Sequence, residues 1–151
     1  MTVSFDTTYL QYVVYAVLVI ATVFFVRFLI KRIISFFSRP ELHGMSRDRI
    51  KQEWEKIEDL LGRKEDTAWK LAVMEADKLL DHSLKSMAIP GINLGERLKF
   101  IQHKYPKINQ VWGAHKIRNR MAHESGFRLS NSMAKRAIKD FKNALEELNV
   151  L

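Results

Sequence analysis

Within the run Lys116-Ile117-Arg118-Asn119-Arg120-Met121-Ala122-His123-Glu124, an arginine, an asparagine and a histidine fall in one short stretch. Such groups can move a proton and hold an anion. Imidazole is the side chain suited to proton transfer near neutral pH, and the Arg118 guanidinium is a permanently charged planar fork that matches a phosphate.

The spacing resembles the R-x(4–6)-H signature of the HEPN superfamily, the "higher eukaryotes and prokaryotes nucleotide-binding" helical bundles. Arg118 stands first, Asn119 occupies the polar position that often follows, and His123 closes the motif after four intervening residues. The resemblance covers most of residues 46 to 151, with helical hairpins first, the motif on a late helix and one further helix after it. It implies a metal-independent endoribonuclease with no cofactor, or an inactive RNA-binding or protein-binding relative. In such a nuclease the RNA 2′-hydroxyl is the nucleophile, a histidine moves its proton and a cation stabilises the pentacoordinate phosphorane. The resemblance also implies a homodimer that builds a shared cleft from the motif helices of both protomers. The catalytic candidates are Arg118, His123 and Asn119. The substrate-binding candidates beside them are Arg120, His115, Lys116 and Trp112.

Helix geometry adds a constraint. At 3.6 residues per turn, Arg118 and His123 project about 140° apart, so one straight helix cannot aim both at the same atom. A second motif helix, or a distortion near Gly126, would be required. His115, Asn119 and His123 instead follow one another at i, i+4 and i+8 on one face with Trp112 beside them, opposite the apolar Ala114, Ile117 and Met121. The histidine face is then the expected partner surface, and two-fold pairing would bring each His123 toward the other protomer's Arg118.

Plainer roles exist for the same residues. A histidine near a helix C-terminus interacts well with the macrodipole, and Arg118 has candidate carboxylate partners in Asp77 and Asp81. Two histidines eight residues apart, in a chain without cysteine, make a poor zinc site. Trp54 and Trp69 fall at packing positions, and Trp112 offers either packing or a surface on which a base could stack. The chain has no phosphate-binding loop, no G-x-S-x-G elbow and no H-E-x-x-H, which removes the common nucleotide-hydrolase, esterase and metalloprotease templates.

These residues need helices to position them, and no stretch alternates like a strand. Ser46 is a natural N-cap for a helix through Leu61, with Ile50, Trp54, Ile57 and Leu61 at helical spacing and Gly62 as the stop. A second helix is expected from about Glu65 to Met87, ended by Ile89-Pro90-Gly91. A third is expected over Leu94 to His103. Pro106 separates that from the motif helix, roughly Lys107 to Glu124, which Ser125-Gly126 closes. Ser130 caps the last, whose Met133, Ala134, Ala137, Ile138, Phe141, Leu145 and Leu148 form an amphipathic face. The fold class is thus all-α, a four- or five-helix bundle over 46–151.

Ahead of the bundle lies a transmembrane helix, residues 9–30. From Tyr9 to Val26 the strongest polar side chain is Gln11, and the apolar run resumes through Ile30 after Arg27. At about 1.5 Å per residue this stretch matches the ~30 Å hydrocarbon core. A signal peptide would want a positive start and a shorter apolar core, and neither is present. Arg27, Lys31, Arg32 and Arg39 follow the span, whereas the eight residues before it carry only Asp6. The expected topology is a short extracytoplasmic segment 1–8, a juxtamembrane linker 31–45 and a cytoplasmic domain 46–151 at the cell membrane, with lipid contacts through Tyr9–Ile30.

The formal charge of +8 favours acidic partners. Residues 97 to 142 hold twelve Lys and Arg against only Glu124 and Asp140. Phosphate binding is the simplest use for that excess. Two functions follow. The first is a membrane-anchored domain that binds RNA and cleaves it at a dimeric site through the helix 107–124, with a protein partner or antitoxin-like regulator among its candidate partners. The second is a non-catalytic module whose basic face holds a protein partner or anionic lipid at the membrane.

Overall fold

The structure, a computed structural model, describes residues 7–37 and 42–151, with side chains described for 11–30 and 42–151. Its regular elements are all helices, with no strand among the described residues, and it divides into two units: the long N-terminal helix and the bundle that follows.

Helix α1 runs Thr7–Phe37. Its stretch Gln11–Ile30 has a mean hydropathy of 2.6 and none of it is buried. It is long and apolar enough to cross a membrane. One polar group inside it is satisfied locally, since the Thr22 hydroxyl donates to the Leu18 carbonyl at 2.8 Å. The predicted span of 9–30 is therefore part of a longer helix, which also takes in Thr7 and Thr8 and half of the expected linker. Residues 1–6 and the Ser38-Arg39-Pro40 break lie outside the described residues.

The bundle comprises α2 (Arg47–Gly62), α3 (Asp66–Ser86), α4 (Leu94–Ile101), α5 (Val111–His123) and α6 (Asn131–Glu147). Three starts carry side-chain caps: Ser46 Oγ accepts from Arg49 N, Asn93 Oδ1 from Glu96 N and Ser130 Oγ from Met133 N. Each satisfies one of the orphan amides at a helix start. The ends of α3 and α6 share a different device. Ala88 and Asn149 take φ of 56° and 54°, so that Ile89 N reaches Leu84 O and Val150 N reaches Leu145 O. This paired closure normally recruits glycine.

Helices α2, α3, α5 and α6 close around one core, with α3 and α6 at its centre. Ile50, Val73, Leu80, Leu84, Leu98, Ile108, Phe141 and Leu145 are fully buried. Burial of each large side chain contributes roughly 1.5–3 kcal/mol before chain entropy is set against it. The expected apolar stripes of α3 and α6 are the ones that face inward.

Two boundaries differ from expectation. Residues 42–45, assigned to the linker, belong to the bundle: Leu42 and Met45 pack on the core and His43 N donates to Ser86 O at 2.7 Å. The motif helix is also shorter than 107–124. Pro106–Gln110 is a 3-10 helix, and the α-helix begins only at Val111. Pro106 supplies no N–H, and the tighter turn places Ile108 and Val111 together in the core, both with no exposed surface. The preceding helix likewise stops at Ile101 rather than His103.

Candidate functional site

Helices α3 and α5 pack side by side, and polar residues meet where the apolar contact ends. Asp77 on α3 is 4% exposed, at a position flanked by Val73 and Leu80 on the buried stripe. His115 Nδ1 lies 2.6 Å from its Oδ1, and Arg118 Nε lies 3.3 Å from its Oδ2. Arg118 Nη1 donates to Asn119 Oδ1 at 3.1 Å. Asn119 Nδ2 stands 3.2 Å from His115 Nε2. Three hydrogen bonds and one ion pair thus close a ring through Asp77, His115, Asn119 and Arg118.

The ring has one consistent proton arrangement. An ionised carboxylate only accepts, so His115 donates from Nδ1; a guanidinium only donates, so the Asn119 oxygen faces Arg118. The Asn119 amide nitrogen must then donate to Nε2. His115 is held as the Nδ1–H tautomer, with the Nε2 lone pair turned away from Asp77. A buried aspartate needs such partners, since an unpaired buried carboxylate costs several kcal/mol.

The ring lines a groove of about 490 Å³ together with Asp81, Asn93 and Leu94. One rim is the start of α4, where Glu96 Oε2 accepts from Ile92 N while Asn93 caps Glu96. Ile92, on the same rim, is 87% exposed. Gly95 sits over the histidine: a Cβ there would stand 3.8 Å from His115 Nε2 and from Trp112 Cη2. Below the rim, Arg97 is buried and donates from Nη1 to Asp81 Oδ1 at 2.7 Å. Its Nε has no acceptor among the described residues. Gly91, at φ 146°, lies so close to the Arg97 stem that any Cβ there would collide with it at 2.9 Å.

The structure sorts the candidate residues into three groups. His115, Arg118 and Asn119 come together and line one groove, and within the protomer they are engaged by the buried charge of Asp77 on α3, a contact that the expected partner face did not include. His123 is apart from them, exposed at the C-terminal end of α5 and without a hydrogen bond among the described residues. Lys116 is exposed. Arg120 Nε contacts both Glu124 oxygens at 3.0 Å, and its guanidinium lies 4.5 Å over the Phe127 ring. Trp112 packs partly against the core, edge-on to His115 with ring centroids 6.1 Å apart. It acts as packing.

Of the twelve basic residues between 97 and 142, Arg97, Lys107, Arg118, Arg120 and Lys142 are paired within the bundle. The exposed remainder includes Lys116 on α5 and Lys135, Arg136 and Lys139 on α6. Sequence reasoning had Asp77 only as one of two possible partners for Arg118, and it missed Asn93 and Gly95. A carboxylate in the apolar stripe of α3 was the available signal. Comparison with protein-family models, with curated proteins and with solved structures finds no match to this chain.

Proposed function

We propose that this chain is a membrane-tethered, HEPN-like helical domain that binds RNA and cleaves it without metal, with the bundle on the cytoplasmic side. The supporting observation is the ring that fixes Arg118 beside an open groove. Its Nε and Nη1 are engaged by Asp77 and Asn119, its Nη2 donates to no acceptor among the described residues, and 37% of the side chain remains exposed. A guanidinium held in this way loses little freedom when it meets a phosphate oxygen, and preorganised charge is the most effective electrostatic help for a phosphorane.

His123 completes the motif from a second copy. It lies at the C-terminal end of α5, is not among the residues that line the Arg118 groove, and is offset from Arg118 by about 140° around the helix, so this reading calls for two motif helices. The exposed lysines and arginines of α5 and α6 supply sequence-independent attraction for the RNA backbone, and that attraction weakens with salt. The apolar α1 and the basic residues that follow its span support the tether and its orientation.

The test is direct. The full-length chain in detergent micelles should sediment as a dimer of the bundle, cut single-stranded RNA in excess chelator and leave 2′,3′-cyclic phosphate ends. A 2′-deoxy nucleotide at the cut site should stop the reaction. Arg118→Lys should be impaired despite its charge, because an ammonium is a point donor rather than a fork. Salt-sensitive binding without cleavage, across a varied RNA set, would favour the second reading: a non-catalytic module that uses its basic face for a protein partner or anionic lipid. The pairing of Arg118 with Asp77 is the observation on that side.

A further inference from the structure

Building on the RNA-cleavage reading, we infer that His115, and not His123, is the base that takes the 2′-hydroxyl proton, oriented by Asp77 and placed beside the phosphate-binding Arg118. The geometry that a base needs is present within one protomer. Asp77 fixes the tautomer from Nδ1 at 2.6 Å, which leaves Nε2 as the acceptor. Nε2 and the Arg118 guanidinium are bridged by the single side chain of Asn119, so a base and a cation stand one amide apart along one groove.

Access to Nε2 is built into the backbone. The residue above it is Gly95, and the absent side chain leaves open the space that a Cβ would take 3.8 Å away. The bond from Asn119 to Nε2, at 3.2 Å, is at the long end for N–H···N or N–H···O contacts. A ribose hydroxyl can replace it, which frees the Asn119 amide to donate to a phosphate oxygen.

The step balances. The 2′-O–H proton passes to His115 Nε2, the 2′-oxygen forms a bond to phosphorus, and the P–O5′ bond breaks. The 5′-oxygen leaves with a proton from an acid, giving a 2′,3′-cyclic phosphate and a 5′-hydroxyl. His123 of the same protomer lies eight residues, about 12 Å, farther along the helix. That is too far to serve the opposite side of the same phosphorus. His123 of a second copy is then the proton donor, and the two histidines have distinct roles.

The experiment is a pH–rate profile for a single-stranded RNA oligonucleotide, with the full-length chain in micelles and chelator present. The unsubstituted protein should give a bell. His115→Gln should lower kcat by about 10²- to 10⁴-fold and abolish the acidic limb, with RNA affinity retained and free imidazole partly restoring the rate of His115→Ala. His123→Ala should lower kcat and remove the alkaline limb instead. Gly95→Leu should slow cleavage in a protein that keeps the helical circular dichroism of the parent, because the leucine covers Nε2. An intact acidic limb in a folded His115→Gln protein, with cleavage still dependent on His123, would overturn the assignment and leave the RNA-cleavage reading standing. Absence of cleavage by the unsubstituted dimer would overturn both.

Discussion

Asp77 Oδ1 and His115 Nδ1 stand 2.6 Å apart across the α3–α5 contact, and the other oxygen of the same carboxylate meets Arg118. One buried charge on α3 therefore sets the side-chain geometry of two residues on α5. The functional candidates of the motif helix are held by a residue about 40 positions earlier in the chain, so their arrangement is a property of the packed bundle.

Asp77→Ala removes that charge and strands two donors. Breaking a buried pair from one side costs about 3–5 kcal/mol, and the partial exposure of Arg118 moves the expectation to the lower end. The urea midpoint of the bundle should fall accordingly. Asp77→Asn should also destabilise it, since an amide presents one donor where both partners donate. A midpoint shift worth less than about 0.5 kcal/mol for both variants would show that the ring is not formed in solution.

Ala88 closes α3 in the left-handed region, with φ 56°. A Cβ there is penalised by roughly 1–2 kcal/mol, part of which glycine gives back through its greater freedom in the unfolded chain. Ala88→Gly should therefore raise stability by about 0.5–1 kcal/mol. Differential scanning of the two proteins would read this as a higher Tm for the glycine variant. A lower Tm would contradict the closure at Ile89.

Glu58 on α2 accepts from Lys142 on α6 at 2.7 Å and from the Trp54 indole at 2.9 Å. The Lys142 bond, then the indole, hold the Glu58 carboxyl below the usual carboxylate range, and Glu58 raises Lys142 above the usual amine range. The depressed carboxyl contributes stability above its unfolded value of 4.5, lost as pH falls through the folded value. The raised amine contributes below 10.5, lost as pH rises through its own folded value. Both groups are more than a third exposed, so screening limits the pair to about 0.5 kcal/mol. Glu58→Gln should lower the denaturant midpoint slightly at pH 7, and the difference should fade as pH falls through the folded value. A difference that persists in acid would assign the effect to packing.

The proposed topology rests on where the charges around the apolar span lie. A reporter fused after Leu151 should be active only in a form that reads the cytoplasm. Moving the cluster, with Arg27, Lys31 and Arg32 made neutral and lysines introduced before Tyr9, should invert the signal. A reporter that reads the outer side in the parent chain would remove access to cytosolic RNA.

How much was legible in the sequence differs by level. The apolar run from Tyr9 to Ile30, the caps Ser46 and Ser130, and the inward stripes of α3 and α6 are local periodicities. Side chains three or four residues apart share a face whatever the tertiary structure, so helix type and core membership could be read directly. Boundaries were less legible. Pro106 announced a break, but whether the next turn is α or 3-10 depends on Ile108 and Val111 both reaching the core. The attachment of residues 42–45 rests on a hydrogen bond from His43 to Ser86, which no local pattern encodes.

The site divides in the same way. Arg118, Asn119 and His123 could be picked out by type and spacing, and helix geometry alone said that Arg118 and His123 do not converge on one strand of helix. What only packing decided is that His115 and Asn119 turn toward α3. A one-dimensional pattern assigns a polar helix face to solvent because charges are costly to bury. It does not say which helix will face that one, although the carboxylate in the apolar stripe of α3 is itself visible. Packing brings Asp77 opposite α5, and its need for two partners draws His115 and Arg118 toward α3.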